Sequence, residues 1–237
     1  MKSIIELHNK HKNQPVWIIG SDPSLDDYPD NFLDDKIGIT LHLAYLKYPN
    51  ATYRYFNESD RLKYLSNKDP SILEKSNIYA WPLFRKTEEF SKQLVGDAFN
   101  SYYLSLKPYP PTGIARKWVE HNDEACKCMK ERVKEARDAT RTTFGGYATC
   151  LHACLYVVIM MGANPINIIG CKLERINNKE HFEVANEMDK TMRNNMHYLS
   201  EKTTTLMQKG TQAIIDGCTE LNIKVNWLKK YDDKRLT

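Results

Sequence analysis

No pair of cysteines in this chain has the spacing of a metal or redox site. Cys126, Cys128, Cys150, Cys154, Cys171 and Cys218 include no CxxC, and Cys150 and Cys154 stand one helical turn apart in an apolar stretch. A structural zinc centre needs four ligands in a tighter pattern, so no metal is expected. Buried free thiols are the reading, and they suit a reducing compartment. No apolar run is long enough for a bilayer; the most apolar stretch, Leu151 to Met161, is too short. Met1-Lys2-Ser3-Ile4 lacks the apolar core of a secretion signal. Basic residues are not concentrated either. The net charge is only +4, and the clusters Lys229-Lys230 and Lys234-Arg235 sit at the chain end. A nucleic-acid interface is therefore not expected, while a mild positive bias suits an anionic small substrate. There is no internal repeat, no low-complexity linker, and neither a Walker loop nor GxGxxG. A cytoplasmic chain without a membrane span is expected, and its 237 residues, 41% hydrophobic, suffice for one core.

What is present alternates. Val16-Trp17-Ile18-Ile19 is a continuous apolar run ending in Gly20, the pattern of a strand covered on both faces. Strands are expected again at 36–41, 52–56, 77–81, 165–170 and 223–227. Helices are expected at 3–12, 44–48, 59–65, from Gly145-Gly146 through Met161, and from about Phe182 to Leu221. Gly162 can end the apolar helix in the left-handed conformation. The stretch 84–141 is irregular up to its prolines (Pro108, Pro110, Pro111) and then charge-dense with good helix formers. It reads as a solvent-facing insertion or a lid. The alternation implies βαβ units and a mostly parallel sheet: a Rossmann-like three-layer α/β sandwich in one domain, 1–237, with a helical insertion at 84–141.

Ligands of open α/β sheets bind beyond the carboxyl ends of the strands. Three stretches converge there: Gly20-Ser21-Asp22-Pro23-Ser24-Leu25, Asn57 to Asp60, and Gly170 to Glu174. The helix opened by Gly145-Gly146 aims its N-terminus the same way, and free N–H groups at such a terminus attract anions. Gly20 permits close backbone approach, and the Ser21 and Ser24 hydroxyls can donate to phosphate oxygens. Asp22 would repel a phosphate unless it meets a ribose hydroxyl or a metal. The aromatics Tyr53, Tyr55 and Phe56 fit either strand core or a base-stacking surface. Arg54, Arg61 and Lys172 fit phosphate or carboxylate. For a general base the choices are His181, His197 and Glu201, histidine being the side chain that titrates near neutrality.

Ile18-Ile19-Gly20-Ser21-Asp22-Pro23-Ser24-Leu25 resembles the G-N-G-P-S-L signature of a Rossmann-like group. That group comprises bacterial sialyltransferases, motility accessory factor proteins that modify flagellin, and archaeal hydroxymethylpterin diphosphokinases. Gly145-Gly146 with its helix, Gly162, and Ile168-Ile169-Gly170-Cys171-Lys172-Leu173 are similar to the G-G-[ST]-V helix and G-x-D-L step of the same group. Lys179-Glu180-His181 resembles a K-T-H step of some members. Gly20, Pro23, Ser24, Asn57, Gly145, Gly146 and Gly170 match. Ser21 and Asp22 replace an Asn and a Gly, His42 replaces an Asn, and Lys172 reverses the charge of an acidic residue. His197-Tyr198 is present, but the position of the sialyltransferase base falls on Glu201.

The resemblance implies a glycosyltransferase-like enzyme whose substrate is a nucleotide-sugar, CMP-linked and sialic-acid-like, with no required cofactor. Its partners would be that nucleotide-sugar and a glycan or small-molecule acceptor; a homo-oligomer is compatible. His197, Glu201 or His181 would take the acceptor proton. Nucleotide contacts would come from Gly20, Ser21, Asp22, Pro23, Ser24, His42, Asn57, Gly145, Gly146, Gly170 and Lys172. Two other readings stay open. One is an ATP-dependent diphosphokinase, needing magnesium on carboxylates such as Asp22, Glu58 and Asp60. The other is a nucleotide-binding protein without catalysis.

Overall fold

In the computed structural model, residues 2–57, 59–81, 102–105, 122–140, 149–173, 185 and 201–228 are described. They form an eight-stranded sheet in which each neighbouring pair is parallel. The strands are β1 (Lys2–Ser3), β2 (Val16–Ile19), β3 (Ile37–Leu41), β4 (Tyr53–Phe56), β5 (Asn77–Trp81), β6 (Tyr102–Ser105), β7 (Ile166–Ile169) and β8 (Val225–Trp227), in the order β1-β6-β5-β4-β3-β2-β7-β8. The helices are α1 (Ser59–Lys68), α2 (Asn122–Arg137), α3 (Cys150–Met160) and α4 (Glu201–Glu220).

The continuous apolar runs end up covered on both faces, as a parallel sheet requires. Every residue of β2 and β7 is buried. Ile18 lies opposite Ile39 on one side and Ile168 on the other. With Tyr53, Tyr55 and Ile78 these side chains face α2, α3 and α4 in one core. Trp17, Ile19 and Ile169 point the other way, against Leu25, Tyr28 and Phe32. Phe56 and Tyr79 continue that second layer against Leu62 and Leu65 of α1. Three layers result. Tyr53, Tyr55 and Phe56 are thus core, each at most 2% exposed. No helix among the described residues is long and apolar enough to cross a membrane.

Four expectations are corrected. The 3–12 helix is replaced by strand β1, a 3₁₀ turn at Ile4–Leu7 and a coiled run of turns. Asn9 (φ 57) and Asn13 (φ 60) adopt the left-handed conformation. The N–H groups of Asn9, His11 and Asn13 then donate to the Met160, Met161 and Gly162 carbonyls. These carbonyls at the end of α3 have no partners inside the helix, so the N-terminal segment is more useful as its cap than as a helix. Second, the proline-marked stretch before residue 111 contains β6, whose partners β1 and β5 are distant in sequence. Third, α2 is not solvent-facing: Met129, Val133 and Ala136 enter the core against α3 and α4. The other residues of 84–141, and with them any lid, lie outside the described residues apart from 102–105 and 122–140. The 44–48 helix is a 3₁₀ turn, His42–Leu46.

The chain after β2 enters β3 on one side, while β7 pairs on the other. The strand order therefore reverses between β2 and β7, and the carboxyl ends of these two strands flank a topological switch point.

Candidate functional site at the strand ends

Two glycines meet at that switch point. Gly20 follows β2, and Gly170 follows β7 with φ 61. A Cβ on Gly20 would lie 2.2 Å from the Gly170 carbonyl oxygen and 2.3 Å from Cys171 Sγ. A Cβ on Gly170 would lie 2.6 Å from the Gly20 carbonyl oxygen. The backbones touch because neither residue carries a side chain. Gly20 N–H donates to the Ile169 carbonyl and Asp22 N–H to the Gly170 carbonyl, both at 2.9 Å. The ladder between β2 and β7 is extended past the strands into their turns.

Asp22 is the N-cap of a 3₁₀ turn, Pro23–Asp27, with proline at its first position. Its Oδ1 accepts from the Ser24 N–H at 2.8 Å and from the Ser24 hydroxyl at 2.5 Å. Its Oδ2 accepts from the Lys172 N–H. Asp22 is 7% exposed and Ser24 4%. The Ser24 hydroxyl expected to meet a phosphate is thus held by Asp22, together with the Ser24 N–H. The turn after β7 is fixed from other sides as well. Trp227 Nε1–H on β8 donates to the Cys171 carbonyl at 2.8 Å, and Gln208 on α4 donates to the Lys172 carbonyl at 3.4 Å. Leu173, in the same segment, has φ 58. A non-glycine residue in that conformation is strained and is held there by its surroundings.

His42 follows β3, also at positive φ (46), and is buried. Its ring is edge-on to Tyr55 and Phe56, with centroids 6.4 and 6.2 Å away. Asn57 follows β4; its Oδ1 is buried and accepts no hydrogen bond among the described residues. Helix α3 is capped by Thr149, whose Oγ1 accepts from Leu151 N–H at 3.2 Å. Burial pushes the Tyr55 hydroxyl well up, with Cys150 and Cys154 adding to the effect. Burial likewise raises the Cys171 thiol, and Asp22, Cys150 and Cys154 are close enough to add to it. The opening turn of α3 therefore sits against the ends of β4 and β7. All six cysteines are free.

Gly20, Ser21, Asp22, Pro23, Ser24, His42, Asn57, Gly170 and Lys172 are thus gathered at the carboxyl ends of β2, β3, β4 and β7. Glu201 is the first residue of α4. Gly145, Gly146, His181 and His197 lie outside the described residues. Arg54 is elsewhere: it donates to the Pro49 carbonyl at 2.8 Å and lies over the Tyr45 ring. Trp227 and Gln208 escaped sequence reasoning, since no local pattern marks a side chain whose partner is 56 or 36 residues away.

The architecture defines an α/β protein of the Rossmann-like class with its polar turns at the switch point. No family model matches the chain, and no curated protein does. Among solved structures it is similar to the crystal structure of the monofunctional alpha-2,3-sialyltransferase Cst-I from Campylobacter jejuni. The TM-score is 0.55 and the identity 14%, over 94% of this chain and 78% of that one. The fold is sialyltransferase-like; this likeness lends nothing to the motility-factor or diphosphokinase branches of the resemblance.

Proposed function

We propose that this chain is a glycosyltransferase-like enzyme that takes a sugar, sialic-acid-like, from a CMP-linked donor. The observation that carries the reading is the meeting of Gly20 and Gly170 at the β2–β7 switch point, flanked by His42 and Asn57, in a sialyltransferase-like fold. Asn57 supports it, with a buried carbonyl oxygen at a strand end able to accept from a ribose hydroxyl or a base amine. In this reading His197, Glu201 or His181 removes the proton of the acceptor hydroxyl, whose oxygen attacks the anomeric carbon as the bond to CMP breaks. The departing phosphate is stabilised by backbone N–H groups and cationic side chains, with no metal required. The acceptor would be a glycan or small molecule, the site cytoplasmic, and the 84–141 stretch would shape the acceptor side. The diphosphokinase reading is less well supported. Asp22, its first candidate ligand for magnesium, spends both oxygens on Ser24 and Lys172.

A thermal-shift screen with CMP, UDP, GDP and ATP, each with and without magnesium, tests this directly. CMP at a hundred times its Kd should add about 2.7 kcal/mol of apparent stability. For a domain of this size that raises Tm by roughly 5 to 10 °C, and magnesium should make no difference. A shift by ATP that needs magnesium would favour the diphosphokinase; no shift by any nucleotide removes the enzyme reading.

A further inference from the structure

We infer that Asp22 is a positioning residue which fills the donors of both switch-point turns, so that the uncharged nucleoside part of the ligand, not its phosphate, lies against Gly20–Ser24. The second half of this statement rests on the nucleotide reading above; the first does not.

Three donors converge on one buried carboxylate: the N–H and hydroxyl of Ser24 from the turn after β2, and the N–H of Lys172 from the turn after β7. Lys172 is 150 residues from Asp22 in the chain. The carboxylate is thus a tether between two turns, beside the backbone hydrogen bond from Asp22 N–H to the Gly170 carbonyl. Charge-assisted bonds of this kind are the strong ones. A phosphate arriving here finds these donors taken and a like charge among them. A ribose or base edge meets no such repulsion and can use the Asn57 carbonyl oxygen. Asp22 then sets which part of a nucleotide is read at this turn, without itself needing to touch it.

Two variants separate these roles. Asp22→Ala removes the acceptor for all three donors. Asp22→Asn keeps an oxygen for Ser24 but turns an amide NH2 toward the Lys172 N–H, donor against donor. Both should melt about 5 °C or more below the wild type. For Asp22→Ala, sodium formate should restore much of that loss, because a small carboxylate can enter the emptied position. Sodium chloride at equal ionic strength should not, and the wild type should respond to neither. In the same proteins, affinities for cytidine and CMP are measured by titration calorimetry. The loss of tethering weakens both ligands alike and cancels in their ratio. Removal of the like charge should move that ratio toward CMP by about tenfold in Asp22→Asn and Asp22→Ala. If Asp22→Ala yields no folded protein, Asp22→Asn carries the ratio. The absence of formate-specific rescue would overturn the tethering role. A ratio that stays constant, or moves toward cytidine, would overturn the placement of the phosphate. Rescue by formate with no binding of either ligand to the wild type would leave the tether standing and defeat the nucleotide reading instead.

Discussion

Replacing Gly20 by alanine should destabilise the protein by roughly 3 kcal/mol or more and abolish nucleotide binding. The reason is proximity. The added methyl would fall 2.2 Å from the Gly170 carbonyl oxygen, which is backbone and already accepts the Asp22 N–H at 2.9 Å. It would also meet Cys171 Sγ at 2.3 Å, and that thiol is buried. Relief requires β2 and β7 to separate where the turns are tied, so stability and ligand binding fail together. Gly38 on β3 is the control. Its methyl would meet the flexible end of Leu33 at 2.9 Å, and Gly38→Ala should cost about 1 kcal/mol or less. Urea denaturation of the two variants measures the contrast. Equal, small losses would mean that the switch-point turns are loosely packed.

Acid should destabilise the protein through His152. This histidine is fully buried on α3, with Nε2 3.1 Å from the Met207 carbonyl oxygen and 3.0 Å from Thr211 Oγ1 on α4. Burial holds its pKa down at about 4, against an ordinary 6.5. The unfolded chain takes up a proton as pH falls through 6.5, while the native protein resists until about 4. Between these values the unfolded state binds more protons, so stability falls by about 1.4 kcal/mol per pH unit, reaching roughly 3 kcal/mol below both. Above pH 6.5 the contribution is flat. Comparing urea unfolding at pH 7 and pH 5, the wild type should lose about 2 kcal/mol more than His152→Gln, which cannot be protonated. Parallel losses in the two proteins would show that this histidine is not held neutral.

The sheet was largely legible because apolar continuity is a local property. Val16–Ile19 and Ile166–Ile169 each read as strands ending in glycine, and both are fully buried central strands. The turn at Asp22 was only half legible. Asp-Pro-Ser is a local signal for a capped turn, with the carboxylate on the N–H two residues on and proline at the first position. The second half of its role, the bond to the Lys172 N–H, depends on the fold bringing two turns together and leaves no trace in either segment. Strand β6 was hidden for the same reason, since its partners are non-local while its neighbouring prolines are conspicuous. The N-terminal segment misled because Ile4 and Leu7 have helical spacing, yet the following backbone donors serve the end of α3. His42 illustrates a third kind of blindness: no sequence rule marks a histidine held at φ 46 beside Tyr55 and Phe56.

The proposed nucleotide site lies across the ends of β2, β3, β4 and β7. Amide chemical shifts followed during a CMP titration test it most directly. Gly20, His42, Asn57, Gly170 and Lys172 should move together along one saturating curve while α1 stays still. Shifts confined to residues away from these strand ends, or none at millimolar CMP, would contradict it.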